Sequence, residues 1–114
     1  MIIRIVEKPI TREEAKEIAK EFYGDMVKGV ADIEREIIAL GGKWHMDANT
    51  KVIEAGSSQT NVWGFNLYPD KEGEDRIEYI ALINIRPAAG NRNMYIEDAD
   101  IRENICEIIN KLVP

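Results

Sequence analysis

The chain has a single cysteine, Cys106, a single histidine, His45, and a single glutamine, Gln59. One cysteine excludes an internal disulfide and favours a reducing compartment, so a cytoplasmic setting is expected. One histidine means that a zinc site would have to complete its ligand set with carboxylates or water. No apolar run approaches membrane length, and the opening Met1-Ile-Ile-Arg-Ile-Val is followed by charge and Pro9, unlike a signal peptide. A glycine-rich phosphate-cradling loop, an internal repeat, a sustained heptad pattern and a complete catalytic motif are all missing. The scarcity of glutamine beside many Ile, Glu and Lys residues is a weak thermophile-like bias. No cofactor is named by any of these features.

What is present fits one domain with one core, spanning residues 1–114. The 21 acidic and 15 basic side chains give a formal net charge of -6, which disfavours passive attraction to nucleic acid or anionic lipid. Ile2 to Val6 reads as a short strand ended before Pro9. Thr11-Arg-Glu-Glu14 is a capping box for a helix whose buried stripe is Ala15, Ile18, Ala19 and Phe22, with Gly24 as its stop. Asp25 can cap a second helix, because Val27, Val30, Ile33, Ile37 and Leu40 recur at spacings of three and four before Gly41-Gly42. Gly29 weakens its first turn by about 1 kcal/mol relative to Ala, so an extended piece around Met26 to Ala31 competes.

Lys43 to Asp47 reads as a brief strand, followed by a short helix capped by Asp47 or Asn49, carrying Val52 and Ile53 and closing at Gly56. Val62 to Tyr68 is a strand with Trp63, Phe65 and Leu67 on one face. After a charged connection from Asp70 to Asp75, the nearly unbroken apolar run Ile77 to Ile85 is expected as its central partner. Met94 to Ile96 reads as a short edge strand, and Asp98 or Asp100 opens a last helix facing the core through Ile101, Ile105, Ile108 and Leu112. The expected fold is α+β, a small antiparallel or mixed sheet packed against three to four helices. Its expected nucleus is the hairpin from Trp63 to Ile85, with Ile83 as a core residue whose removal leaves a cavity.

The blocks Gly41-Gly42-Lys-Trp-His45-Met-Asp47, Gly56-Ser57-Ser-Gln59, Trp63-Gly64-Phe-Asn66-Leu-Tyr68-Pro69 and Asn84-Ile-Arg86-Pro87 through Gly90-Asn91-Arg92 carry a resemblance. In that order, together with Lys28, Asp32 and Arg102, they resemble a small family of uncharacterised prokaryotic proteins, a domain of unknown function. The resemblance covers nearly the whole chain and implies a stand-alone domain of this length with no assigned activity. It also implies an acidic residue at the position of Asn49, a departure that weakens any metal reading using that position.

Two groups of residues carry candidate chemistry. His45 and Asp47, two apart on the expected strand, would share a face and could act as an acid–base pair or, with Glu54, hold a divalent metal. The alternative is that His45 bonds a backbone carbonyl and orients its loop. Asn84, Arg86, Asn91 and Arg92 follow a buried strand around Pro87 and Gly90, and are expected on one rim within reach of Gln59 or the His45 segment. Arginine offers a planar fork of donors for phosphate or carboxylate, and Ser57, Gln59 and Asn66 could add neutral partners. Against this stands pairing of Arg86 with a nearby carboxylate such as Glu97, and amide side chains that serve only to cap turns or bridge strands.

Three functions follow as expectations. The first is a small cytoplasmic domain binding a polar or anionic ligand through the Arg86 to Arg92 segment. The second is a metal-assisted or acid–base hydrolase using His45 and Asp47, with Arg86 stabilising developing charge. The third is a structural or protein-interaction module. Short domains gain buried area by pairing, and the Ile2 to Val6 or Met94 to Ile96 edge offers a surface for a homodimer. Sedimentation over a tenfold concentration range checks that expectation; a single monomer mass throughout overturns it.

Overall fold

The computed structural model describes residues 1–114. Five strands, β1 (Ile3–Val6), β2 (Val27–Asp32), β3 (Ile37–Gly41), β4 (Val62–Leu67) and β5 (Ile77–Glu78), form one sheet in the order β1-β3-β2-β4-β5. Every neighbouring pair is antiparallel. Three helices, α1 (Arg12–Ala19), α2 (His45–Glu54) and α3 (Ala99–Leu112), cover the sheet. This is the α+β architecture expected.

The two faces of the sheet carry separate apolar clusters. On one, Val27, Ala31, Ile38, Leu40, Trp63, Phe65 and Leu67 pack against Ala15, Ile18 and Ala19 of α1 and Ile105, Ile108, Ile109 and Leu112 of α3. On the other, Val30, Ile37, Ala39 and Val62 meet Ala48 and Val52 of α2. The sheet is therefore sandwiched, and β2 and β3 are buried on both sides. That explains the largest departure from expectation. The segment Asp25 to Leu40 is not a helix but the hairpin β2–β3, and the competing extended reading around Met26 to Ala31 describes β2. A strand apolar on both faces produces the same three-and-four spacing as a helix stripe.

The hairpin turn is held by Asp32, whose Oδ1 accepts the N–H groups of Glu34 at 2.9 Å and Arg35 at 3.0 Å. Gly29 lets the sheet close: a Cβ there would lie 2.6 Å from Cζ of Phe65. The first helix begins at its capping box as expected, with Thr11 Oγ1 accepting from Glu14 N–H at 3.1 Å. It ends earlier, at Ala19, so that Phe22 lies outside the core, exposed on the turn that runs to Gly24.

Lys43 to Asp47 is not a strand. Asp47 Oδ2 accepts the N–H groups of Lys43 at 3.0 Å and Trp44 at 2.9 Å, which starts α2 at His45 and ahead of the position expected. The second strand of the β4 hairpin is also shorter than its apolar run. Only Ile77–Glu78 pairs with β4, and Leu82–Asn84 is a single 3-10 turn with Leu82 exposed. Ile83 is only partly buried against the α2-side cluster, so it is not the core residue expected. Met94 to Ile96 forms no strand, although Tyr95 makes an isolated bridge with Ile80.

Phe65, fully buried at the centre of β4, holds the α1/α3 face together. Phe65→Ala is expected to cost about 3–5 kcal/mol by loss of burial and cavity formation. Urea unfolding of both proteins measures it, and a cost below 1 kcal/mol would contradict this assignment of the core.

Candidate functional site

The strand exit singled out in the sequence is packed into the fold. Asn84 is fully buried; its Oδ1 accepts from Gly64 N–H at 2.8 Å, and its Nδ2 donates to the carbonyls of Gly64 at 3.0 Å and Met94 at 3.2 Å. Asn91 Nδ2 donates to the carbonyls of Asn84, Asn93 and Tyr95 at 2.7, 2.9 and 3.0 Å, and its Oδ1 accepts from Glu97 N–H at 2.8 Å. Both amides spend their hydrogen bonds on backbone. Arg86 Nε donates to Ile83 O at 3.1 Å, Nη2 donates to Val62 O, and the guanidinium stacks 4.4 Å from the Trp63 ring centroid. It meets no carboxylate, its buried Nη1 has no partner, and burial lowers its pKa. Arg92 alone stands exposed without a hydrogen bond.

Ser57 and Gln59 are also engaged. Ser57 Oγ accepts from Arg35 Nη1 at 3.1 Å, and Gln59 and Asn49 exchange two hydrogen bonds between their side-chain amides, at 2.8 and 2.9 Å. The residue at position 49 is thus a buried amide that works as half of a side-chain pair.

His45 and Asp47 do not form an acid–base couple in this arrangement. Asp47 caps the start of α2, whereas His45 Nε2 reaches Phe65 O at 2.9 Å and Asn66 Oδ1 at 2.8 Å. Both partners are acceptors, which assigns the proton to Nε2. Burial, and then the charge of Lys28, push the imidazole down to about 4, so it is neutral at physiological pH. His45 sits at the C-terminal end of β4 and Arg86 at its N-terminal end, roughly 13 Å apart along the strand. A mechanism sharing both is not assembled, and no three His, Cys, Asp or Glu side chains gather as metal ligands.

What the structure does assemble is a polar row on the α2 face. Lys28, Asn66 and Glu78 are cross-strand partners on β2, β4 and β5 and therefore project from the same face. Asn66 Nδ2 donates to Glu78 Oε1 at 3.3 Å, and Tyr68 OH donates to the same oxygen at 2.7 Å. That carboxylate, hydrogen-bonded to the phenol, pushes Tyr68 up to about 12.

A concavity of about 990 Å³ lies between β5 and α3. Its walls include Arg12, Arg76 and Arg102, the carboxylates Glu72, Glu74, Glu78 and Glu103, and the rings of Tyr79 and Tyr95. Arg12 is paired, with Nη1 and Nη2 on Glu72 at 2.7 and 3.1 Å. Arg102 is not: its Nη1 donates to the carbonyls of Ile96 at 2.6 Å and Glu97 at 2.9 Å, and its guanidinium stacks over Tyr95. Arg76 is 4% exposed and bonds only neutral acceptors, Asn110 Oδ1 and Val113 O, while its Nε has no partner. Burial, followed by the charge of Arg12, lowers its pKa. Sequence reasoning missed this groove because Arg76 follows an acidic stretch that reads as a solvated connection.

The chain belongs to a family described as a protein of unknown function (DUF5674), which it matches over residues 4–112. No curated protein and no solved structure matches it. No activity is assigned to the family, and no helix of the chain is long and apolar enough to cross a membrane.

His45 makes acid stability testable. Its folded-state pKa lies below the free value of 6.5, so the unfolded chain takes up the proton first. The stability is full above about pH 6.5 and is lost as pH falls toward 4, by about 3 kcal/mol. Urea unfolding at pH 7 and pH 4 should show a shallower loss for His45→Gln than for wild type. Equal losses would contradict burial of a neutral imidazole.

Proposed function

We propose that the domain binds a small ligand bearing a carboxylate or phosphate in the groove between β5 and α3. Arg76 carries this reading. A guanidinium buried without a carboxylate is costly, and its orphan Nε adds an unmet donor. An anion in the groove would offset the buried charge, with Arg102 as a second fork lacking an acidic partner. Glu72, Glu74, Glu78 and Glu103 on the same walls repel polyanions, as does the net charge of -6. The ligand class is therefore a small molecule with one anionic group and hydrogen-bond donors, and nucleic acid is disfavoured. The single Cys106 supports a cytoplasmic setting.

This reading keeps the anionic ligand expected from the sequence and moves its site away from Arg86 to Arg92, where Asn84 and Asn91 are committed to backbone. Calorimetric titration with inorganic phosphate and with succinate tests it. Wild type should bind at least one probe, Arg102→Ala should weaken it about tenfold or more, and Arg92→Ala should leave it unchanged. Loss of binding in Arg92→Ala with retention in Arg102→Ala would return the site to the Arg86 turn and overturn the groove assignment. Absence of binding by wild type to either probe would overturn it as well.

A further inference from the structure

Lys28 is an amine set among chemically active neighbours and bonded to none of them. It is half-buried on β2, and its Nζ forms neither a hydrogen bond nor an ion pair, whereas Lys16 and Lys20 are paired with carboxylates. Its Nζ lies over the face of Tyr23, 5.1 Å from the ring centroid. Across the sheet, the register sets Asn66 and then Glu78 on the same face. Two strand spacings separate the Lys28 and Glu78 backbones by roughly 10 Å, within the combined reach of the two side chains. Glu78 nevertheless stays out of salt-bridge contact, because Tyr68 OH and Asn66 Nδ2 hold its Oε1. The amine and the carboxylate therefore share one face of the sheet without forming an ion pair. His45, fixed over Asn66, backs the row as a neutral donor.

We propose that Lys28 is a carbonyl-reactive amine, which forms an imine with a small aldehyde or ketone, and that Glu78 is its proton-transfer partner. Three features support nucleophilic use. The neutral amine is the reactive form; burial lowers the Lys28 pKa, against an opposing pull from Glu78. No protein hydrogen bond or ion pair has to be broken to free the amine. The Glu78 carboxylate on the same face is oriented by two donors, so its position does not depend on the amine. The Nζ lone pair forms a bond to the carbonyl carbon as the C=O π bond breaks, and one nitrogen proton passes to the oxygen to give the carbinolamine. The second nitrogen proton passes to Glu78, which delivers it to the hydroxyl, so that the C–O bond breaks, water leaves and a C=N bond remains. Amine and carbonyl give imine and water, with no oxidant or reductant. The site shares Glu78 with the wall of the groove but uses neither Arg76 nor Arg102, which carry the anion-binding reading.

The test is reductive trapping. The full chain is incubated with propionaldehyde and cyanoborohydride at pH 7, and modification at each lysine is followed by peptide mass spectrometry. Lys28 should be alkylated about tenfold faster than any other lysine of the chain. Glu78→Gln should slow Lys28 severalfold without changing the rates at Lys8 or Lys111. Urea-unfolded protein should lose the preference, which separates the folded site from local sequence. Alkylation of Lys28 at the common rate would overturn the proposal, and an unchanged Lys28 rate in folded Glu78→Gln would overturn the role of the carboxylate. Lys28→Arg should remove the fast-reacting site; persistence of a fast site would assign it to another amine and overturn the proposal.

Discussion

The structure depends on how the outer edge of β4 is completed. Beyond Asn66 and Leu67 no strand lies beside β4, yet its first half is buried. Buried backbone groups require partners. Here they come from side chains: the Asn84 amide takes both the N–H and the C=O of Gly64, and Arg86 takes the carbonyl of Val62. An amide has the donor and acceptor that an opposing peptide would offer, so Asn84 closes the edge as one residue of strand would. The arrangement requires glycine at position 64, where a Cβ would lie 2.5 Å from that of Ala81. Asn91 then fixes the chain carrying Asn84 through four backbone bonds.

This explains which parts could be read from sequence. The capping box at Thr11, the helix closing before Gly56, β4 and the stripe of α3 are local patterns, and local patterns survive folding. The hairpin β2–β3 escaped because its apolar residues face two layers, a property of the packed sheet and not of the segment. The run Ile77 to Ile85 has the composition of a central strand but stops pairing after Glu78, since the Asn84 side chain occupies the position a continued strand would need. Asn66 and Asn84 were recognisable as amides with buried partners to find. Which partners they found depends on the register of strands far apart in sequence.

The same distinction applies to charge. Acids outnumber bases in the chain, and yet neither Arg76 nor Arg86 meets a carboxylate. Each is held by carbonyl or amide oxygens, which orient a guanidinium without neutralising it. For Arg86 the work is visible, since it completes the β4 edge and stacks on Trp63. Arg76 ties β5 to the end of α3 through Asn110 and Val113, a tie that an uncharged donor could also make. A buried guanidinium without a carboxylate partner, on a wall that also carries four glutamates, is what distinguishes the groove from an ordinary surface depression.

Glu78 connects the two surfaces. It borders the groove between β5 and α3, and its Oε1 also ends the row that runs through Asn66 to His45. That dual position follows from the shortness of β5: a two-residue edge strand leaves its last side chain open on both sides of the sheet margin. Tyr68 and Asn66 fix one carboxylate oxygen and leave the other free of protein donors. A ligand in the groove with a hydrogen-bond donor near β5 would compete for that free oxygen, and the carboxylate would then be shared between the groove and the amine row. The guanidiniums of Arg76 and Arg102 bond to groups on α3 and its connecting segment, and Arg76 also meets Tyr68, a partner of Glu78, through its carbonyl, which accepts from Tyr68 N–H at 2.8 Å. Coupling between anion binding and Lys28 chemistry therefore converges on this one carboxylate.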